Sequence, residues 1–117
     1  MIPNQIALDF GAFVLDAVLF DTSVANSFAQ HLPYNIHLLQ WGSELYGATG
    51  KDLGEEHPVT QIPSGGIAYT NKGNYVCIFF GQTPAWAVEH IGQILNNQWK
   101  TLVENPSQES VVIRLKK

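Results

Sequence analysis

"GGIAYTNKGNYVCIFF", residues 65–80, is the stretch on which the fold turns. Two runs rich in β-branched and aromatic residues flank "NKGN", residues 71–74, which supplies the Asn and Gly that a tight hairpin needs for positive φ. The second run, Tyr75 to Phe80, is apolar without alternation, as strands covered on both faces are. Neighbours on a strand point to opposite faces, so one of Phe79 and Phe80 enters a core while the other faces away from it. Directly after it, "GQTPAW", residues 81–86, carries Trp86 in a Gly/Pro loop.

Working outward from this hairpin, "QIALDF" and "FVLDAVLF" read as strands joined at Gly11. The period then changes. In "DTSVANSFAQHLP", residues 21–33, Asp21, Thr22 or Ser23 can cap a helix of about ten residues, with Val24, Phe28 and Leu32 on one face and Pro33 as its stop. Alternation returns in "YNIHLLQW", with Tyr34, Ile36 and Leu38 on one side. From Gly42 to Pro58 four glycines and the acidic cluster Asp52, Glu55, Glu56 read as loop. Beyond the hairpin come a short strand in "HIGQI", a short helix in "NNQWKTLVEN" with Asn96 and Asn97 suited to its cap, and a last strand in "SVVIRLKK". Val111, Ile113 and Leu115 are its expected inward residues.

About eight short strands with one or two helices give a mostly β class. Strands covered on both faces point to a cyclic arrangement: a closed or partly closed antiparallel barrel. No linker or repeat divides the chain, so residues 1–117 are expected to form one domain.

Composition narrows the function. Hydrophobic residues make up 45% and charged residues 14%, which excludes a disordered chain. The net charge is −4, and the one basic pair is Lys116–Lys117, so no electrostatic footprint for nucleic acid exists. Cys77 stands alone mid-strand and reads as a buried, inert thiol. The N-terminal stretch lacks a basic n-region and carries Asp9 among its apolar residues; neither a signal peptide nor a membrane span is expected, and the location expected is cytoplasmic.

The order and spacing of these motifs resemble the cyclophilin-type barrel, and more closely the small bacterial and archaeal cyclophilin-like proteins, a minimal form with no assigned function. The resemblance runs from about residue 5 to 115. "DTSVANSFAQHLP" is similar to the cyclophilin helix with its Glu-Asn-Phe pattern, and "WGSELYG" to the Gly-Lys-Ser-Ile-Tyr-Gly turn. The hairpin nearly reproduces the Gly-Asp-Ile-Ala-Tyr … Ile-Phe-Phe-Gly of the minimal family, with Gly66 in place of Asp. The resemblance implies that Phe79 or Phe80 floors a proline-binding groove, that Trp86 stands on its rim, and that Gln40 takes the place of a groove glutamine. It also exposes two gaps. The arginine that stabilises the twisted prolyl amide belongs between residues 31 and 42, where this chain has none; its one arginine is Arg114. The groove histidine is replaced by Val88, with His90 two residues away. Rotation about a prolyl bond is helped by oriented hydrogen bonds, so losing this donor makes prolyl isomerase activity doubtful.

The candidate ligand-binding set is therefore aromatic: Trp41, Tyr46, Phe79, Phe80 and Trp86, joined by Gln40 and by Glu44, which flanks Leu45 opposite Tyr46. No catalytic residue is assigned. His31, His37, His57 and His90 lack metal-pair spacing, and no metal or cofactor is expected. His57 beside Glu55 and Glu56 reads as a solvated mixed-charge loop. Ser64 lacks the nucleophile-elbow pattern, and "GATGKDLG" lacks the spacing and strand-to-helix setting of a phosphate loop. The leading expectation is a non-catalytic binding module whose aromatic groove takes a small molecule or an extended peptide. A weak prolyl isomerase and a structural or oligomerisation subunit, burying its apolar surface against another copy or a partner subunit, are the alternatives; neither nucleic acid nor membrane is an expected partner.

Overall fold

A computed structural model describes residues 4–116. Nine strands and two helices follow in the order β1 (Asn4–Asp9), β2 (Val14–Leu19), α1 (Ser23–Gln30), β3 (Tyr34–His37), β4 (Leu39–Gln40), β5 (Glu44–Ala48), β6 (Gly66–Thr70), β7 (Tyr75–Phe79), β8 (Glu89–Ile94), α2 (Lys100–Glu104) and β9 (Ser110–Leu115). All pairings are antiparallel, in the spatial order β3-β9-β1-β2-β8-β6-β7-β5-β4. The two ends of that series, β3 and β4, are consecutive in the chain with Leu38 between them, so the sheet curls into a nearly closed antiparallel barrel. At the seam β5 lies against β3. A Cβ on Gly47 would collide with the His37 carbonyl and the Ile36 side chain, which is why a glycine stands there.

The barrel interior is filled by residues of every strand except β4, among them Ile6, Leu8, Leu19, Leu45, Ile67, Ile78, Ile91 and Ile113. Helix α1 adds Val24, Ala25 and Phe28 to this core. Thr22 caps it, its hydroxyl accepting from the Ala25 N–H at 3.2 Å. Phe28 stacks on Tyr34 at 4.4 Å between centroids, and the Tyr34 hydroxyl donates to the Phe28 carbonyl at 2.8 Å.

A second, smaller apolar layer lies outside the barrel. Ile62, Ala68, Cys77, Phe79 and Val88 pack together there, with Tyr46 and Tyr75 against them. Every residue of β6 is buried, and all of β7 except Tyr75. This is the two-sided cover that the unbroken run Tyr75–Phe80 requires.

Four details differ from the sequence reading. Residues 44–48, where the glycine-rich sequence predicts loop, form β5; its glycine is demanded by the seam and does not mark a turn. "YNIHLLQW" divides at Leu38 into β3 and β4, because the chain there passes from one end of the sheet to the other. Asn96 and Asn97 both have positive φ and form a turn ahead of α2, which begins at Lys100. Leu115 is 52% exposed: it lies at the end of β9, where Val111 and Ile113 alone reach the core.

Candidate functional site: an aromatic pocket on the outer wall of the barrel

The alternation of β7 decides which side chains face outward. Val76, Ile78 and Phe80 enter the barrel, while Tyr75, Cys77 and Phe79 point to the outer layer. Register then selects their neighbours. Glu44 of β5 pairs with Phe79, Tyr46 with Cys77, and Thr70 of β6 with Tyr75. These residues floor a pocket of about 360 Å³, walled by Trp41 from the β4–β5 turn and by Pro84, Ala85, Trp86 and Val88 from the loop that enters β8. Pockets for small molecules span about 300–1,000 Å³.

The walls are anchored. The Trp86 indole N–H donates to the Thr70 hydroxyl at 3.0 Å, leaving the ring 43% exposed beside the pocket. The Gln82 side-chain carbonyl accepts from the Ser43 N–H at 2.7 Å, tying the 81–87 loop to the β4–β5 turn. Gly42 makes room for that contact: its φ is +60°, and a Cβ would run into Gln82. On the far side Val59 and Val88 exchange backbone hydrogen bonds of 2.8 and 2.9 Å. Buried Glu89 accepts from the N–H groups of Glu56 and His57, both at 2.8 Å, and so pins the 55–58 loop over β8.

Polar groups in the pocket are few. Glu44 is 7% exposed, and among the described residues no basic side chain pairs with it. Burial pushes its carboxyl above the ordinary glutamate range, with the Cys77 thiol beside it acting in the opposite direction. The Cys77 thiol is in turn pushed well above its usual value, by burial first and by the nearby Glu44 charge second. Burial thus disfavours the thiolate, the form in which a cysteine acts as a nucleophile. Tyr46 and Tyr75 meet edge to face at 5.3 Å.

The residues singled out from the sequence divide cleanly. Trp41, Glu44, Tyr46, Phe79 and Trp86 line this pocket. Phe80 does not: it belongs to the barrel interior, one residue out of phase with Phe79. Gln40 is exposed and turned back on its own loop, donating to the Gly42 carbonyl at 3.1 Å. Thr70, Tyr75, Cys77, Pro84, Ala85 and Val88 are lining residues that the sequence reading passed over as a site. Once Phe79 is set outward, alternation and hairpin register place the first three beside it.

Other groups lie elsewhere. Arg114 of β9 pairs with Asp9 at 3.4 Å and borders a different depression with Ala7, Val14 and Leu32. His90 meets Phe20 edge to face at 4.8 Å; its Nε2 is buried without a partner, and burial lowers its pKa. His57 stands 3.8 Å from Glu56 on the exposed loop. Among the described residues no three potential metal ligands converge, and no helix is long and apolar enough to cross a membrane.

The chain is thus a nearly closed antiparallel barrel with a helix packed into its core, and it carries an aromatic pocket on its outer wall. The cyclophilin-like family model matches residues 4–114, and the chain belongs to that family. Among solved structures it is similar to the hypothetical protein AF2241 from Archaeoglobus fulgidus, with a TM-score of 0.79, 24% identity, and coverage of 98% of this chain and 96% of that one. It is also similar in fold to McbB, whose structure is of a complex with tryptophan: TM-score 0.74, 14% identity, 96% of this chain and 45% of McbB. The chain thus spans less than half of McbB. No curated protein matches the sequence.

Proposed function

We propose that this protein is a non-catalytic binding module whose outer pocket receives a small, largely apolar molecule. The observation that carries the reading is the pocket itself: five aromatic side chains and one buried carboxyl around about 360 Å³, held by hydrogen-bonded loops. Rigid aromatic walls with a few placed polar groups favour a small molecule over an extended peptide, which draws on backbone pairing at a free sheet edge. That McbB, a distant structural neighbour, has been solved with tryptophan is in keeping with a small-molecule ligand on this fold. Prolyl isomerisation is disfavoured because the pocket lining carries no arginine, and Arg114 is engaged elsewhere.

The test is a two-dimensional NMR titration with free tryptophan and a panel of small aromatic molecules, run beside a protease-free prolyl isomerisation assay. Saturable shifts at Trp41, Tyr46 and Trp86, lost in Trp86→Ala, with no isomerisation, are expected. Absence of binding across the panel would refute the reading. Isomerisation that disappears in Trp86→Ala would replace it with an enzyme.

A further inference from the structure

The pocket has a sign. Its lining contains a single carboxyl group, Glu44, and no lysine, arginine or histidine. Around that acid stand Trp41, Tyr46, Tyr75, Phe79 and Trp86, whose ring faces carry negative potential from the π quadrupole. A neutral apolar ligand has no use for a carboxyl 7% exposed in such surroundings, and the fold bears the desolvation of keeping it there. Within the described residues no basic partner compensates it. The chain's own ammonium groups already favour this kind of surface: Lys72 Nζ lies 5.9 Å from the Trp86 ring centroid. Resting on the binding reading above, we infer that the pocket is specific for a small organic cation with an apolar body, the cationic head paired with Glu44 and caged by the aromatic rings.

The electrostatics are consistent with this. Without a ligand, burial favours the protonated form of Glu44. A cation entering the pocket favours the ionised form, so in the pH range where free Glu44 holds its proton binding releases it, and binding weakens as the solution becomes more acidic. The other titratable groups facing Glu44 are the Cys77 thiol of β7 and, in the same lining, the phenols of Tyr46 and Tyr75. None of these carries positive charge in any state; Lys72, over the Trp86 ring, is outside the lining and makes no ion pair with Glu44, so none of them takes the place of the cation.

Three probes of nearly one shape test the inference: 2-phenylethylammonium, neutral 2-phenylethanol and the anion 3-phenylpropionate. Each is titrated by NMR and calorimetry into the wild-type chain and into Glu44→Gln. The ammonium is expected to bind about tenfold tighter than the alcohol, the carboxylate least, and Glu44→Gln is expected to remove the preference while keeping affinity for the alcohol. That retained affinity also reports that the variant's pocket is intact. Equal or tighter binding of the alcohol to wild type overturns the cation assignment and leaves the binding module standing. A cation preference that survives in Glu44→Gln overturns it too, because the carboxyl is then not its source. Failure of all three probes to bind counts against both.

Discussion

On the binding role proposed above, Glu44 sets ligand recognition against stability. It sits on β5 opposite Phe79, in an apolar layer where a glutamine of the same shape would cost less. Because its folded pKa is raised, the folded chain holds a proton over a pH window in which the unfolded chain has lost it. Stability therefore falls as pH rises through that window, and the loss is complete above the raised pKa. Glu44→Gln is accordingly expected to raise the melting temperature at neutral pH, and the gain is expected to vanish below the ordinary glutamate pKa, where both states of the wild type are protonated. Thermal melts across the acid range check this. A gain that persists unchanged into acid would mean that charge burial is not its cause. Retention of a residue that costs stability at neutral pH is in keeping with the binding role proposed for Glu44.

At the level of elements, what could be read in the sequence depended on whether the cause was local. The β6–β7 hairpin was legible because its turn chemistry is local: Gly73 and Asn74 both have positive φ, and both were visible as turn residues. Helix α1 was legible for the same reason, from Thr22 and the spacing of Val24 and Phe28. Strand β5 was not. Its Gly47 reads as a loop residue, yet it is there because β3, ten residues upstream in the chain, comes within contact at the seam. No local pattern records that approach. Gly47→Ala is expected to pry the seam, lowering stability by about 1–3 kcal/mol, since backbone cannot move aside as a side chain can. Urea denaturation measures it. A loss below about 0.5 kcal/mol, the scale of an ordinary surface substitution, would mean that the seam is loose and the barrel closes by the Leu38 connection alone.

Across the whole molecule, the barrel wall separates two apolar layers, and the candidate site is legible only to the extent that the wall's phase can be assigned. Hydrophobicity alone cannot do it: Phe79 is 1% exposed and Phe80 5%, so both look like core. What distinguishes them is direction, Phe79 into the pocket layer and Phe80 into the interior. Gln40 lies outside the pocket lining for a related reason, since its chain position says nothing of the β4–β5 turn on which its side chain folds back to Gly42. Conservative substitution separates the two layers. Phe80→Leu is expected to cost about 1–2 kcal/mol in denaturation while leaving ligand affinity near wild type, because only the interior loses contacts. Phe79→Leu is expected to cost a comparable amount and also to weaken binding of the aromatic probes about fivefold or more, since it removes a ring from the pocket floor. Paired urea titrations and probe titrations on the two variants read both quantities at once. Equal loss of affinity in the two would mean that the layers are mechanically coupled through β7, and that the pocket's shape is a property of the interior packing rather than of its own lining.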